Sequence, residues 1–357
     1  MPEDSLRPPD PRRYVRPFIA SLALAGGLAW VMRSGGLPFL PPKGTLEALK
    51  IWPFVGFALG LASQLLLRLA RSHFLLAPIA RVPFSKVMTI NGIAIGLITF
   101  LPLRLGEVSR PAMLREKGKL SAVAVAGMVA AERILDGVAF SLMLLLGLWV
   151  AEPHLPLPTH IGDLPISAAL VPRAARLAAI GFAAAFAVMV VFYAWRGFAR
   201  SATLRIVGAF STAFAERLAD LLTRLSDGLR GLSNFRHAGP YVAVTLTAIF
   251  IHVWAIVLLA DAVGLPELTL AQASVVVGVL ALGFAVPNAP GFFGAIQLAL
   301  YAGLAVYIDP SKVAHEGALF VFLFYVTYLG LVIVVSLSSL ALDYTLSGRG
   351  RAPGDRA

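Results

Sequence analysis

Long apolar runs recur down the whole chain, and they settle its solvent before any motif is read. A helix needs about 17 to 25 predominantly apolar residues to cross a bilayer. Candidate runs extend from Phe18 to Met32, Ile51 to Leu67, Val123 to Val150, Ala174 to Trp195, Tyr241 to Ala260, Leu268 to Val286, Gly291 to Ile308 and Gly317 to Leu342. Eight such runs in 357 residues imply an all-α polytopic membrane protein rather than a pair of soluble domains. Charged residues make up only 14% of the chain, against roughly 25% in soluble domains. Cysteine is absent, which excludes disulfides, a thiolate nucleophile, Fe–S clusters and cysteine zinc sites.

A ninth apolar run, Val87 to Leu103, is interrupted by Asn91, Gly92, Gly96, Thr99 and Pro102. Charge placement says how to treat it. Five flanks (residues 1–17, 68–86, 104–119, 196–236 and 347–357) hold 23 of the 30 Lys and Arg and should be cytoplasmic. The segments 151–172 and 261–267 hold Glu152, Asp163, Asp261 and Glu267 but no Lys or Arg, as expected of outer loops. Both basic flanks of the ninth run lie on one side only if the run dips in and returns. A re-entrant segment near 87–103 is therefore expected, with both termini cytoplasmic. Arg33, Lys43 and Lys50 on the first outer loop go against the pattern.

Residues 1–16, rich in Pro and Arg, are expected to be disordered, and 347–357 to form a disordered tail, with one membrane domain at 17–346 between them. No small-x-small cleavage site follows Met32, so the first run is expected to be an uncleaved anchor. Within about 200–236, Leu204, Val207, Phe214, Leu218, Leu221, Leu225, Leu229 and Leu232 recur at helical spacing, with Arg and Asp on the other faces. That pattern predicts an amphipathic helix along the cytoplasmic interface, serving as a tether or as a contact for anionic lipid. The net charge of +11 is then accounted for by topology and lipid contact, without nucleic acid.

Charges inside apolar runs carry more information. Glu132, Arg133 and Asp136 lie about 15 Å along the helix that starts at Val123, near mid-bilayer. Each ionised group there costs roughly 2.5 to 3.5 kcal/mol. At about 100° per residue, Glu132 and Asp136 sit about 40° apart, with Arg133 about 60° beyond, so all three share a face that must point into the protein. A second cluster, Pro102-Leu103-Arg104-Leu105-Gly106-Glu107-Val108-Ser109-Arg110, breaks regular helix and sets Glu107 and Arg110 at i, i+3. Arg104, Arg110 and Arg133 balance Glu107, Glu132 and Asp136. A neutral set can be a structural ion-pair network. It can also be a substrate path, because an incoming phosphate can replace a carboxylate on an Arg fork.

The third feature is the uncharged stretch from Leu268 to Ile308, broken at Pro287-Asn288-Ala289-Pro290-Gly291-Phe292-Phe293-Gly294. This is read as a broken hairpin near 287–294, either an ordinary turn or an anion site on the free N–H groups of the next helix, with Pro287, Asn288, Pro290, Gly291, Gly294 and Gln297 around it. The breaks at Pro102 and Pro287 lie close to half a chain length apart, the arrangement that transporters built on repeats show, although without visible sequence identity. Gln64, His252, Gln272, Gln297 and Tyr301 are more ordinary interhelical hydrogen-bonding residues. His315-Glu316 lacks a second metal-ligating His, and there is no P-loop or Gly-x-Ser-x-Gly, so no cofactor, metal or catalytic residue is expected.

The three clusters, in this order, resemble the lysylphosphatidylglycerol synthase transmembrane family, the flippase-like membrane domain of the bacterial multiple peptide resistance factor and its stand-alone relatives. The resemblance covers about Asn91 to Leu342. It rests on Pro102-x-Arg104-x-Gly106-Glu107-x-x-Arg110, Glu132-Arg133-x-x-Asp136 and Pro287-x-x-Pro290-Gly291-x-x-Gly294. It implies an inner-membrane protein with broken or re-entrant helices tied to lipid translocation; the substrate does not transfer with the fold. In full-length resistance factors an aminoacyltransferase domain follows the last span. Only the short stretch to Ala357 follows Leu342 here, so lysyl transfer is not expected. Where many relatives read Pro-Gly-Gly-x-Gly-x-x-Glu, this chain has Phe292 and Gln297, which argues against a proton-linked role there.

The expected function is therefore a lipid flippase or lipid-transport protein, not an enzyme. A phospholipid with an anionic or zwitterionic headgroup would pass Arg104, Glu107, Arg110, Glu132, Arg133 and Asp136. The alternatives are a membrane enzyme acting on polyprenyl-phosphate or lipid headgroups, and a non-catalytic subunit of a lipid-biosynthesis complex. A homo-oligomer or partners from lipid biosynthesis are compatible with either.

Overall fold

The computed structural model describes residues 12–78, 80–101, 106–107, 109–118, 122–153, 157–161, 163–164, 167–226, 235–285 and 289–349. These form α1 (Arg12–Ser34), α2 (Ile51–Leu76), α3 (Phe84–Phe100), α4 (Ser109–Gly118), α5 (Ala122–Val150), α6 (Leu170–Ala194), α7 (Arg196–Ile206), α8 (Thr212–Ser226), α9 (Phe235–Ala262), α10 (Leu270–Ala285), α11 (Ala295–Leu304), α12 (Pro310–Ala314) and α13 (Glu316–Arg349). The all-helical architecture is as expected, since a backbone inside a bilayer must satisfy its own hydrogen bonds.

Among the described residues, five helices are long and apolar enough to cross a membrane: Ile51–Leu76, Gly127–Val150, Leu170–Ala194, Arg236–Ala262 and Glu316–Thr345. The other three of the eight expected spans fall on shorter apolar helices, Ile19–Ser34, Leu270–Ala285 and Pro290–Leu304. At 1.5 Å per residue, α10 is about 24 Å long and α11 about 15 Å, short of the roughly 30 Å hydrocarbon core.

The ninth run is an uninterrupted helix, α3, so Asn91, Gly92 and Gly96 do not break it. They serve close packing instead. Gly92 and Gly96 form a small-x-x-x-small face against Ser339 and Ser336 of α13, and the Ser336 hydroxyl donates to the Gly92 carbonyl at 2.9 Å. Asn91 donates to the Leu69 carbonyl at 2.7 Å and to Ser72 Oγ at 2.6 Å, which ties α3 to α2. After α3 the chain folds back on it. A Cβ on Gly106 would overlap the backbone of Leu97 and Ile98, so only glycine lets the returning chain lie this close to α3.

One run of three helices recurs in the two halves of the chain. The register that lays Gly106 on Gly291 carries α2 onto 236–261, α3 onto 269–285 and α4 onto 294–303, almost the ranges of α9, α10 and α11. Gly291 has a φ of 71°, which again suits glycine. The packing repeats as well: α3 lies on α13 as α10 lies on α5, and α4 and α11 each fold back on the helix before them. The two copies meet where α2 lies along α9. These helices run antiparallel, since Lys50 before α2 pairs with Asp261 near the end of α9 at 2.7 Å, while Arg71 near the end of α2 reaches Thr245 early in α9. The pair with Asp261 also accommodates Lys50, one of the three residues that go against the charge pattern.

Three boundaries differ from expectation. Helix α1 already begins at Arg12 and α13 continues to Arg349, so residues 12–16 and 347–349 extend helices rather than tails. Adding a residue to an existing helix costs far less than starting one, which favours such extension. Residues 1–11 and 350–357 lie outside the described residues. The amphipathic segment near 200–236 is two helices, α7 and α8, separated by a turn at Gly208, with 227–234 outside the described residues. Helix α8 packs on α5 and α6, with Ala215 and Ala219 fully buried and Phe214 exposed, as is Phe210 in the turn before it.

Candidate functional site

The site begins with an extension of α2. This helix continues past Leu67, where the apolar stretch ends, to Leu76, and Gln64, Arg68 and Arg71 form one polar stripe at i, i+4, i+7. Arg71 is only 3% exposed. Its Nη2 donates to Asp136 Oδ2 at 2.6 Å and to Glu132 Oε1 at 3.3 Å, and its guanidinium lies 5.5 Å from the Tyr241 ring centre. The second oxygen of Glu132 accepts from Arg110 Nη1 at 2.7 Å. Glu132 therefore bridges α2 and α4, and one helical turn later Asp136 holds Arg71 and has Arg68 Nη2 at 3.8 Å. At the edge of the network Arg133 and Glu107 approach to 4.0 Å, each about one-third exposed.

A cavity of about 300 Å³ opens beside this network. Its lining sets the charged Arg68, Glu107, Arg110, Glu132, Arg133 and Asp136 among Phe140, Phe182, Phe284, Phe292, His252 and Tyr328. Both interrupted segments reach it, the first through Thr99 and Glu107 and the second through Ala285 and Phe292. The cavity thus lies where the two copies of the fold meet, with ionic groups and aromatic rings around one space.

The family model described as the lysylphosphatidylglycerol synthase TM region matches residues 18–335, most of the chain and every residue that lines this cavity. The chain belongs to that family. It is accordingly a multi-pass membrane protein of a lipid-related family. No curated protein and no solved structure matches the chain.

Of the residues that carry the resemblance to this family, the structure brings Glu107, Arg110, Glu132, Arg133 and Asp136 together, and Arg104 lies outside the described residues. Sequence reasoning misses Arg68 and Arg71, because the apolar run ends at Leu67 and both fall in a basic flank. Their helical spacing from Gln64 is the available signal. Including them changes the charge balance: among the described residues the network has four guanidinium groups (Arg68, Arg71, Arg110, Arg133) and three carboxylates (Glu107, Glu132, Asp136), in place of a neutral set.

The second expected set is arranged differently. Pro287 and Asn288 lie outside the described residues. Pro290, Gly291, Gly294 and Gln297 do not line the cavity. Gln297 Oε1 accepts from the Gly294 N–H at 2.8 Å, so the side chain caps α11 from within and occupies a donor that an anion would need. Gly294 instead packs closely on Leu28 of α1. Among the described residues of this segment, Phe292 reaches the cavity. Among the described residues no cluster of His, Cys, Asp and Glu has a metal-binding arrangement.

Proposed function

We propose that this protein is a lipid flippase or lipid-transport protein of the inner membrane that moves a polar headgroup through the charged cavity. The observation that carries this reading is the meeting of two interrupted helical hairpins, from antiparallel halves of the chain, at a cavity lined with ionic groups. In transporters built on inverted repeats, substrates bind where discontinuous helices of the two halves converge. In this arrangement α3–α4 and α10–α11 are re-entrant hairpins entering from opposite faces, and α1, α2, α5, α6, α9 and α13 cross. Six crossings put both termini on one side, which the basic flanks make cytoplasmic. The cavity volume suits a headgroup, and acyl chains would remain in the bilayer.

Transport without chemistry fits the carboxylates as well. A general base needs a carboxylate free to take a proton, whereas Glu132 and Asp136 are held by Arg71 and Arg110 and Glu107 lies against Arg133. The test is transbilayer exchange in liposomes containing the purified protein, with a headgroup-labelled lipid and an impermeant quencher. Faster exchange than in empty liposomes is expected, and no acceleration with any of several lipids overturns the reading. Arg133→Ala, which changes a side chain at the cavity rim, should lower exchange far more than it lowers folded yield. Equal losses of both would make Arg133 a packing residue.

A further inference from the structure

The tip of the second hairpin is strained. Phe292 has a φ of 56°, the one positive value at a non-glycine among the described residues, between Gly291 at 71° and Gly294 at 82°. A left-handed backbone is uncommon for any side chain and an outlier for a bulky one, and it persists only where the surroundings impose it. Its effect here is placement. Phe292 is turned into the cavity lining, edge-on to Phe284 with ring centres 5.0 Å apart, and Phe284 in turn lies 5.5 Å from Tyr328. Around the two arms of the hairpin Val276, Ile296, Leu300, Leu304, Phe320 and Phe324 are at most 1% exposed. With this hairpin entering from the outer face, the rings and that apolar layer stand between the cavity and the outside.

The surroundings that hold the tip come from the start of the chain. Phe39, in the loop that follows α1, stacks on Phe293 with ring centres 5.4 Å apart and planes 15° from parallel. One residue earlier, the Pro38 carbonyl accepts from the Tyr301 hydroxyl at 2.8 Å. Leu28 of α1 lies against Gly294, where an added Cβ would overlap it. Among the described helical elements, α1 packs chiefly on the turn Pro290–Phe292. Adjacent residues of the tip therefore face two ways, Phe292 into the cavity and Phe293 under the loop.

Resting on the transport reading above, we propose that the loop after α1 is an outer latch. Phe39 holds Phe293 down, which keeps Phe292 across the outer end of the cavity; the path opens outward when Phe39 lifts off and the turn relaxes from its positive φ. Relief of strain at Phe292 works toward opening, and the stacked pair works against it. The tip is then a two-position element, biased by one aromatic contact.

The chain has no cysteine, so thiols can be placed without background. Ser141, on α5, lines the cavity and is 2% exposed. In Ser141→Cys, labelling by an impermeant maleimide added outside sealed proteoliposomes should be slow. Adding Phe39→Ala should speed it about two- to tenfold, the worth of one aromatic pair. Ala260→Cys, fully buried on the outer half of α9, should gain nothing from Phe39→Ala; an equal gain there means a loosened fold and overturns the latch. In a protein carrying Phe39→Cys and Phe293→Cys, joining the two thiols with a short bifunctional reagent should suppress lipid exchange, and the reagent should have no effect on either single variant. Labelling of Ser141→Cys that ignores Phe39→Ala, or full exchange with the two cysteines joined, overturns the latch and leaves transport standing. Labelling that obeys Phe39→Ala in a protein that exchanges no lipid overturns transport alone.

Discussion

The first half of the chain, α2 to α4, and the second, α9 to α11, follow one backbone plan with opposite chemistry. In the register that lays Gly106 on Gly291, Arg68 falls on Val253, Arg71 on Ile256, Glu107 on Phe292 and Arg110 on Ala295. The helices that close each half differ in the same way: α5 carries Glu132, Arg133 and Asp136, whereas α13 has no Asp, Glu, Lys or Arg between Glu316 and Asp343. The second half shows that this arrangement of crossing helix and broken hairpin forms with apolar residues at the positions that match Arg68, Arg71, Glu107 and Arg110. The charges of the first half are thus not required by the architecture, and their insertion cost is offset by something other than the backbone plan.

The strongest way to probe that contrast is to remove the residue that two cations share. Glu132→Ala leaves Arg71 and Arg110 buried without their common partner, and should cost about 3 to 5 kcal/mol of stability, the usual result of breaking a buried pair on one side. Unfolding of the purified protein in detergent measures this. Exchanging Arg71 and Asp136 together for isoleucine and leucine, which imitates the apolar half, should cost less than Asp136→Leu alone. If the paired exchange is the worse of the two, the ionic network is part of the architecture and the contrast between the halves loses its meaning.

Next in size is the pair of glycines at matching positions. Gly106→Ala drives a methyl group into the Leu97–Ile98 backbone, which cannot move aside as a side chain can, so a loss of about 3 kcal/mol is expected, the upper end of overpacking costs. Gly291→Ala meets the Tyr325 hydroxyl at 3.1 Å and Leu329 at ordinary contact distance, and its main cost is the positive φ, about 1 to 2 kcal/mol. Thermal midpoints of the two variants should preserve this order. The reverse order would mean that the two breaks are not equivalent turns.

The sequence and the structure agree where the physics is local. Helix content follows from the apolar runs, and Glu132 and Asp136 are legible as inward-facing because one helix sets both. The ends of helices inside apolar stretches are not legible, since Leu268–Ile308 contains no charge to mark a turn. Arg68 and Arg71 are hidden for the opposite reason: they look like a loop flank until Glu132 and Asp136, far along the chain, are placed beside them. The half-chain spacing of the two proline breaks is visible in the sequence. Its meaning needs the helix ranges, because the halves share boundaries and packing rather than side chains.

The smallest effect belongs to ion pairs at the periphery, where water does most of the work. Lys312 and Glu267 meet at 2.5 Å with each side chain nearly half exposed, and the hydrogen bond from Lys312 holds the Glu267 carboxyl below its ordinary range and raises the Lys312 ammonium above its own. Because the folded carboxyl value is depressed, its contribution is present above the ordinary glutamate value of about 4.3 and is lost as the pH falls through the lower folded value. The lysine contribution is present below about 10.4 and is lost as the pH rises through the raised folded value. Between those limits Lys312→Met should lower the thermal midpoint slightly, the difference should shrink in moderate salt, and it should vanish in acid. A loss as large as that of Glu132→Ala, or one unaffected by salt, would show that this end of the molecule excludes water as the ionic network does.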